Sequence, residues 1–184
     1  MITFLILLTF LLIINYEFKK KMFYNRLKAM KRLNPEPGDI LLFFSDVSGK
    51  IHNYLLWSCL LTLHTSIPSV HYGFVLNNGY YVESRRPPTI RWDNISKKHK
   101  GGPRIGKIKH MSKDWDYGYI AVIRTNISEV PDVLIDKGYW EAGGCLGIVN
   151  NTIKKINKNH TYCLSPESFI KKYGIDIGLW THSI

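Results

Sequence analysis

Cysteine is scarce in this chain, with three among 184 residues, Cys59, Cys145 and Cys163. Three thiols do not make a disulfide framework, and their odd number leaves at least one free, which suits a reducing compartment. Alanine is equally rare at three residues, a compositional bias with no bearing on mechanism. Acidic residues are few, 14 against 25 lysines and arginines, so the net charge is +11. There is no zinc-ligand spacing, no recognition-helix signature and no phosphate-cradling glycine loop, so no nucleic acid is expected as a partner. Nothing in the residues calls for a metal or a cofactor. Internal repeats and low-complexity segments are missing as well. At 45% hydrophobic and 21% charged, the chain is neither disordered nor an integral membrane bundle. Its length holds one domain and a short appendage, without room for a second full domain.

The positive charge is concentrated. Lys19, Lys20, Lys21, Arg26, Lys28, Lys31 and Arg32 form one cluster. Lys97, Lys98, Lys100, Arg104, Lys107 and Lys109 form another, in a stretch that reads as a Gly/Pro-containing loop. Either these are solvated faces or they attract anionic lipid, each basic residue near a membrane surface contributing roughly 1 kcal/mol.

The one long apolar run is N-terminal. Met1 to Ile14 includes only Thr3 and Thr9 as polar members. Extended to Phe18, it approaches the ~17 residues that span a bilayer. No basic n-region and no A-x-A-like cleavage site accompany it, which argues against a removed signal peptide. With the basic residues on its C-terminal side, the positive-inside rule places the globular part in the cytosol. The expected organisation is an anchor over residues 1–18, a basic juxtamembrane helix over 19–34 ended by Asn34-Pro35, and a domain over 35–184. A buried or interfacial helix is the alternative for the first segment. Formal glycosylation sequons at Asn94, Asn126, Asn150 and Asn159 point the other way, and in so Asn-rich a chain they also arise by chance.

Within the domain, Pro35 to Asp39 is a turn and Ile40 to Phe44 a short apolar strand. Asn53 to Leu63 reads as a core helix or a membrane-facing flap. Val70 to Ser84 is a hairpin, Tyr117 to Thr125 a strand, and Pro131 to Trp140 a helix. Asn159 to Cys163 is a loop or short strand. A last helix starts at Ser165, an N-cap followed by Pro166 and Glu167. Strands and helices mix without βαβ alternation, so the fold class is α+β.

Three residues stand out by the elements that carry them. Cys145 follows Gly143-Gly144 and opens a helix, where unpaired amides and the positive dipole end favour thiolate over thiol. Cys59 and Cys163 lie among apolar neighbours and read as packing residues. His71 begins a strand and precedes Gly73, which leaves space one pleat away on the same face. If the hairpin loop is Asn77-Asn78-Gly79 with Gly79 left-handed, Leu76 faces Tyr80 and Gly73 faces Glu83, so Glu83 shares a face with His71. A two-residue loop would send Glu83 to the other face. A thiol at a helix start, an imidazole on one strand and a carboxylate on the next are the parts of a cysteine-nucleophile enzyme.

Pro37-Gly38-Asp39-Ile40-Leu41, His71-x-Gly73-Phe74-Val75, Tyr81-Val82-Glu83-Ser84, a cysteine opening a helix, and Leu164-Ser165-Pro166-Glu167-Ser168-Phe169 occur in this order. The set resembles the circularly permuted NlpC/p60 papain-like proteins, which include bacterial YiiX-type proteins, lecithin:retinol acyltransferase relatives and a poxvirus branch. The resemblance covers roughly residues 35–174. It implies a small antiparallel sheet packed on the cysteine helix, with Cys145 as nucleophile, His71 as general base and Glu83 as orienting residue. It also implies peptidase, amidase, lipid acyl hydrolase or acyltransferase chemistry. The flanks of the cysteine, Gly144 and Leu146, depart from relatives with polar neighbours there. The expected function is therefore a membrane-anchored cysteine hydrolase or acyltransferase acting on an amide or ester, lipid-linked by preference, at an anionic membrane surface. The rival expectation is a catalytically inactive, membrane-tethered structural or virion-associated protein.

Overall fold

The apolar run after the Pro-Gly-Asp turn becomes the centre of the molecule. Residues Ile40–Ser45 form β1, followed by β2 at His71–Val75 and β3 at Tyr80–Arg85. The sheet continues with β4 at Gly102–Lys107, β5 at Tyr117–Thr125 and β6 at Gly174–Trp180. These six strands make one sheet in the order β4-β3-β2-β1-β5-β6, every neighbouring pair antiparallel. Among the described residues three α-helices accompany it: α1 at Ile2–Ala29, α2 at Gly144–Ile156 and α3 at Pro166–Tyr173. The computed structural model describes residues 2–45, 65–67, 69, 71–85, 102–111, 117–128, 130 and 143–180. The helices expected over 53–63 and 131–140 lie outside these residues, as do Cys59 and Asn94.

β1 is apolar at every position because both of its faces are covered. Ile40, Leu42 and Phe44 join Phe74, Val82, Ala121 and Ile123 on the face that receives Phe23 and Leu27 of α1, Ile148, Val149 and Ile153 of α2, and Phe169 of α3. Leu41 and Phe43 point the other way, into a second cluster with Val75, Tyr81, Met111, Ile120, Val122 and Trp180. Burial on both faces removes the alternation that a half-exposed strand shows.

The turn before β1 is held by Asp39. Its carboxylate accepts from the Glu36 amide at 2.8 Å and from Arg124 Nε at 3.1 Å. Gly38 has φ +92, and a Cβ there would lie 2.1 Å from the carbonyl oxygen of Ile127, so only glycine fits.

Two strands depart from the sequence reading. Gly102–Lys107, expected as a loop, pairs with β3 at the sheet edge. An edge strand tolerates Pro103, whose missing N–H costs no ladder bond when it faces outward. Gly106 admits the Tyr81 ring, to which a Cβ would come within 2.5 Å. Gly174–Trp180, for which no strand is expected, closes the opposite edge beside β5.

α1 runs unbroken across residue 18, so the anchor and the basic segment are one helix. It ends at Ala29 rather than at Asn34-Pro35, because the chain turns to bridge β6. The Leu33 amide donates to the Leu179 carbonyl at 3.1 Å, and Arg32 pairs with Leu179. Among the described residues, no helix is long and apolar enough to cross a membrane.

Candidate active site

The hairpin between β2 and β3 turns through Asn77, Asn78 and Gly79, with Asn78 at φ 59 and Gly79 at φ 75. Two consecutive left-handed residues make a three-residue loop, and the Leu76 amide donates to the Tyr80 carbonyl at 2.8 Å. Val75 therefore faces Tyr81, Phe74 faces Val82 and Gly73 faces Glu83. His71 and Glu83 lie on one sheet face, and His71 Nε2 meets Glu83 Oε2 at 2.9 Å. The Glu83 side chain is 3% exposed and that of His71 11%, so water does little to screen the pair.

Gly73 does not leave an empty space. A Cβ there would sit 3.2 Å from the Phe43 ring and 3.4 Å from the Tyr81 ring. The missing side chain lets those rings close in, and the Phe43 ring lies 5.3 Å from the imidazole, centroid to centroid. Glycine here makes a wall for the histidine.

Cys145 stands in the first turn of α2. Gly143 and Gly144 both have positive φ, 72 and 70, so the chain enters the helix through a conformation that side chains disfavour. No side chain caps this helix start. The amides of Tyr72 and Leu146 donate to the Cys145 sulfur, and the thiol is hydrogen-bonded to His71. Burial alone would push the thiol up, but the imidazolium charge, its hydrogen bond and those two amides outweigh it and hold the thiol below its ordinary value. Burial alone would likewise push His71 down. The thiolate charge and hydrogen bond, followed by the Glu83 hydrogen bond and charge, raise it to about 9. The two shifts describe one object, a thiolate–imidazolium pair backed by a carboxylate.

The three groups come from opposite sides of the sheet. Cys145 packs with the cluster under α2, while Phe43, the ring neighbour of His71, belongs to the other cluster. They meet at the start of β2, where the β2–β3 ladder has already stopped at Gly73–Glu83.

Two supports escaped the sequence reading. Buried Asn150 donates to the Leu146 carbonyl at 2.9 Å and the Cys163 carbonyl at 3.0 Å. Its oxygen accepts from the Cys163 amide at 2.7 Å and pairs with His160 Nε2 at 2.8 Å, and His160 Nδ1 bonds the Tyr173 hydroxyl. Burial, then Lys172 and Lys154, push His160 down, so it serves as a neutral connector. In the fold, the sequon at Asn150 is a structural amide. Glu167 is the second support, expected only as a first-turn helix residue. Its Oε1 accepts from the Ser66 amide at 2.7 Å, the Ser66 hydroxyl at 2.8 Å and the Ile67 amide at 2.9 Å. That clamp ties residues 65–67, shortly before His71, to α3.

Cys163 is 3% exposed and pushed up by burial, which makes it a packing thiol. Among the described residues, no group of three or more His, Cys, Asp or Glu could hold a metal ion. The resemblance drawn from the motifs stands by itself beside this geometry: the chain matches no protein-family model, no curated protein and no solved structure.

Proposed function

We propose that this chain is a membrane-anchored cysteine hydrolase or acyltransferase of the permuted papain-like type, acting on an amide or ester of a lipid-linked substrate. The observation that carries the reading is His71 hydrogen-bonded both to the Cys145 thiol and to the Glu83 carboxylate. The Cys145 thiolate attacks the substrate carbonyl carbon, and the uncapped amides at the start of α2 stabilise the oxyanion. The imidazolium of His71 gives its proton to the departing amine or alcohol, which leaves an acyl-thioester. Water, or an acceptor hydroxyl or amine, then attacks that thioester. Neutral His71 takes its proton, and the thiolate departs as the pair re-forms. Glu83 keeps the imidazole in the orientation that both steps need. The exposed apolar residues of α1 support the preference for a lipid-linked substrate.

The test is a lipid-tailed electrophilic ester with mass-spectrometric location of the adduct. Acylation of Cys145 is expected, with none in Cys145→Ser. Labelling that persists in Cys145→Ser, or that depends on Cys59, removes the assignment. A thiol at Cys145 that alkylates no faster than free cysteine at neutral pH would favour a non-catalytic membrane-tethered protein instead.

A further inference from the structure

From Leu12 onward α1 carries apolar side chains on two separate faces, and before Leu12 exposed Ile6, Leu8 and Phe10 widen the apolar surface. Leu12, Tyr16, Phe23 and Leu27 are buried, and Phe23 and Leu27 belong to the core beneath the sheet. On another side, Phe4, Leu7, Leu11, Ile14, Phe18 and Met22 recur every three or four residues and are 48% to 68% exposed. At 1.5 Å per residue that second stripe is about 27 Å long. It runs past the start of the docked face, so from Leu12 to Met22 the helix touches protein on one side and is bare on another.

The domain holds this helix firmly. Lys19 Nζ donates to the Thr65 carbonyl at 3.0 Å, and the Tyr119 hydroxyl donates to the Lys20 carbonyl at 3.0 Å. The Phe23 ring lies 5.3 Å from that of Phe44, and the Tyr24 ring 5.0 Å from that of Tyr119. Of the described residues of α1, those before Leu12 are clear of the docked face. At 1.5 Å each they reach about 15 Å, half of the ~30 Å hydrocarbon core. A spanning helix would carry docked residues, and the protein against them, into lipid.

The flanks of the bare stripe are basic. Lys21 and Lys28 lie to one side of it and Arg26 to the other; all three are exposed, with no acidic partner among the described residues. An apolar stripe bordered by basic residues fits the interface of an anionic bilayer, apolar side chains among the acyl chains and charges at the headgroups.

We infer that α1 lies in the plane of the membrane, its Phe4-to-Met22 stripe buried in one leaflet of anionic lipid, and does not cross. The N-terminus and the domain are then on the same side. The Lys19–Thr65 bond links the embedded helix to the segment just before His71, and the Glu167–Ser66 bond ties that segment to α3, so the site is held at a set height over the surface. This deepens the membrane-anchored reading above and is separable from its chemistry.

The experiment uses the full chain with an N-terminal epitope, expressed in cells whose plasma membrane is selectively opened by digitonin. The epitope is expected to be as accessible as the domain; an epitope shielded while the domain is exposed means a span and overturns the proposal. Purified full chain is then mixed with vesicles of phosphatidylcholine containing 30% phosphatidylserine. Binding is expected, abolished in Leu11→Lys/Phe18→Lys and weakened roughly 100-fold in Lys21→Gln/Arg26→Gln/Lys28→Gln. Unchanged Cys145 alkylation verifies that the variants are folded. If wild type ignores the vesicles and sediments as a dimer that Leu11→Lys/Phe18→Lys makes monomeric, a second copy covers the stripe and the proposal fails. Cys145→Ser removes the alkylation readout but leaves epitope accessibility and vesicle binding unchanged, so loss of the catalytic reading and loss of this one cannot be confused.

Discussion

His71 owes its state to neighbours on other elements, Cys145 at the start of α2 and Glu83 on β3. The thiol ionises below its ordinary 9.0 while His71 keeps its proton up to about 9. The reactive ion pair therefore exists between the lowered thiol value and about pH 9. Iodoacetamide alkylation of Cys145 is expected to rise with pH at a midpoint below 9, and His71→Ala to raise that midpoint. Cleavage of an amide by the same protein is expected to fall above about pH 9, where His71 loses the proton it donates. Glu83→Gln keeps the shape but removes the charge that holds the imidazolium, and a loss of turnover of at least ~10-fold is expected. Gly73 acts through packing. In Gly73→Ala the new methyl presses on the Phe43 ring and the Val82 carbonyl at 3.2 Å. A cost of about 1–3 kcal/mol is expected in urea unfolding.

Single elements explain why the candidate site was partly legible. The β2–β3 register follows from turn chemistry within nine residues, Asn78 and Gly79 adopting left-handed conformations that asparagine tolerates and that glycine, without a Cβ, adopts freely. The start of α3 was equally local, with Ser165 capping the Ser168 amide ahead of Pro166. β4 was hidden because Gly and Pro usually mark loops, and only an edge position makes them acceptable in a strand. The supports of α2 and β2 were hidden for another reason. Glu167 reaches Ser66 across 101 positions, and Asn150 binds a loop that has no regular pattern. Asn150→Ala strands the Cys163 amide, the Cys163 carbonyl and one ring nitrogen of His160 in the interior, at about 1–3 kcal/mol for each group left unpaired. The expected result is a lowered urea midpoint with unchanged slope, together with slower Cys145 alkylation as the first turn of α2 loosens.

At the scale of the whole molecule, α1 is part of the core as well as an apolar surface. Phe23 is 7% exposed and Leu27 1%. Phe23→Ala is expected to cost about 3 kcal/mol or more, read by thermal or urea unfolding, since the cavity opens beside Phe44. A helix serving only as a tether would show no such loss.

Local pattern was enough to give the α+β class, the helix start that bears Cys145, and a choice of two hairpin registers, of which the chain adopts the one that pairs Gly73 with Glu83. Each depends on residues a few positions apart, where turn geometry, capping and pleat parity act. Only the tertiary structure decided that the thiol reaches the imidazole across the open end of β2, that Glu167 and Asn150 brace the site, and that Gly73 is walled in by aromatic rings. It also decided that α1 is one helix with a docked face and a bare one. These are contacts between distant segments, set by how the sheet and helices share a core, and no short window of sequence contains both partners.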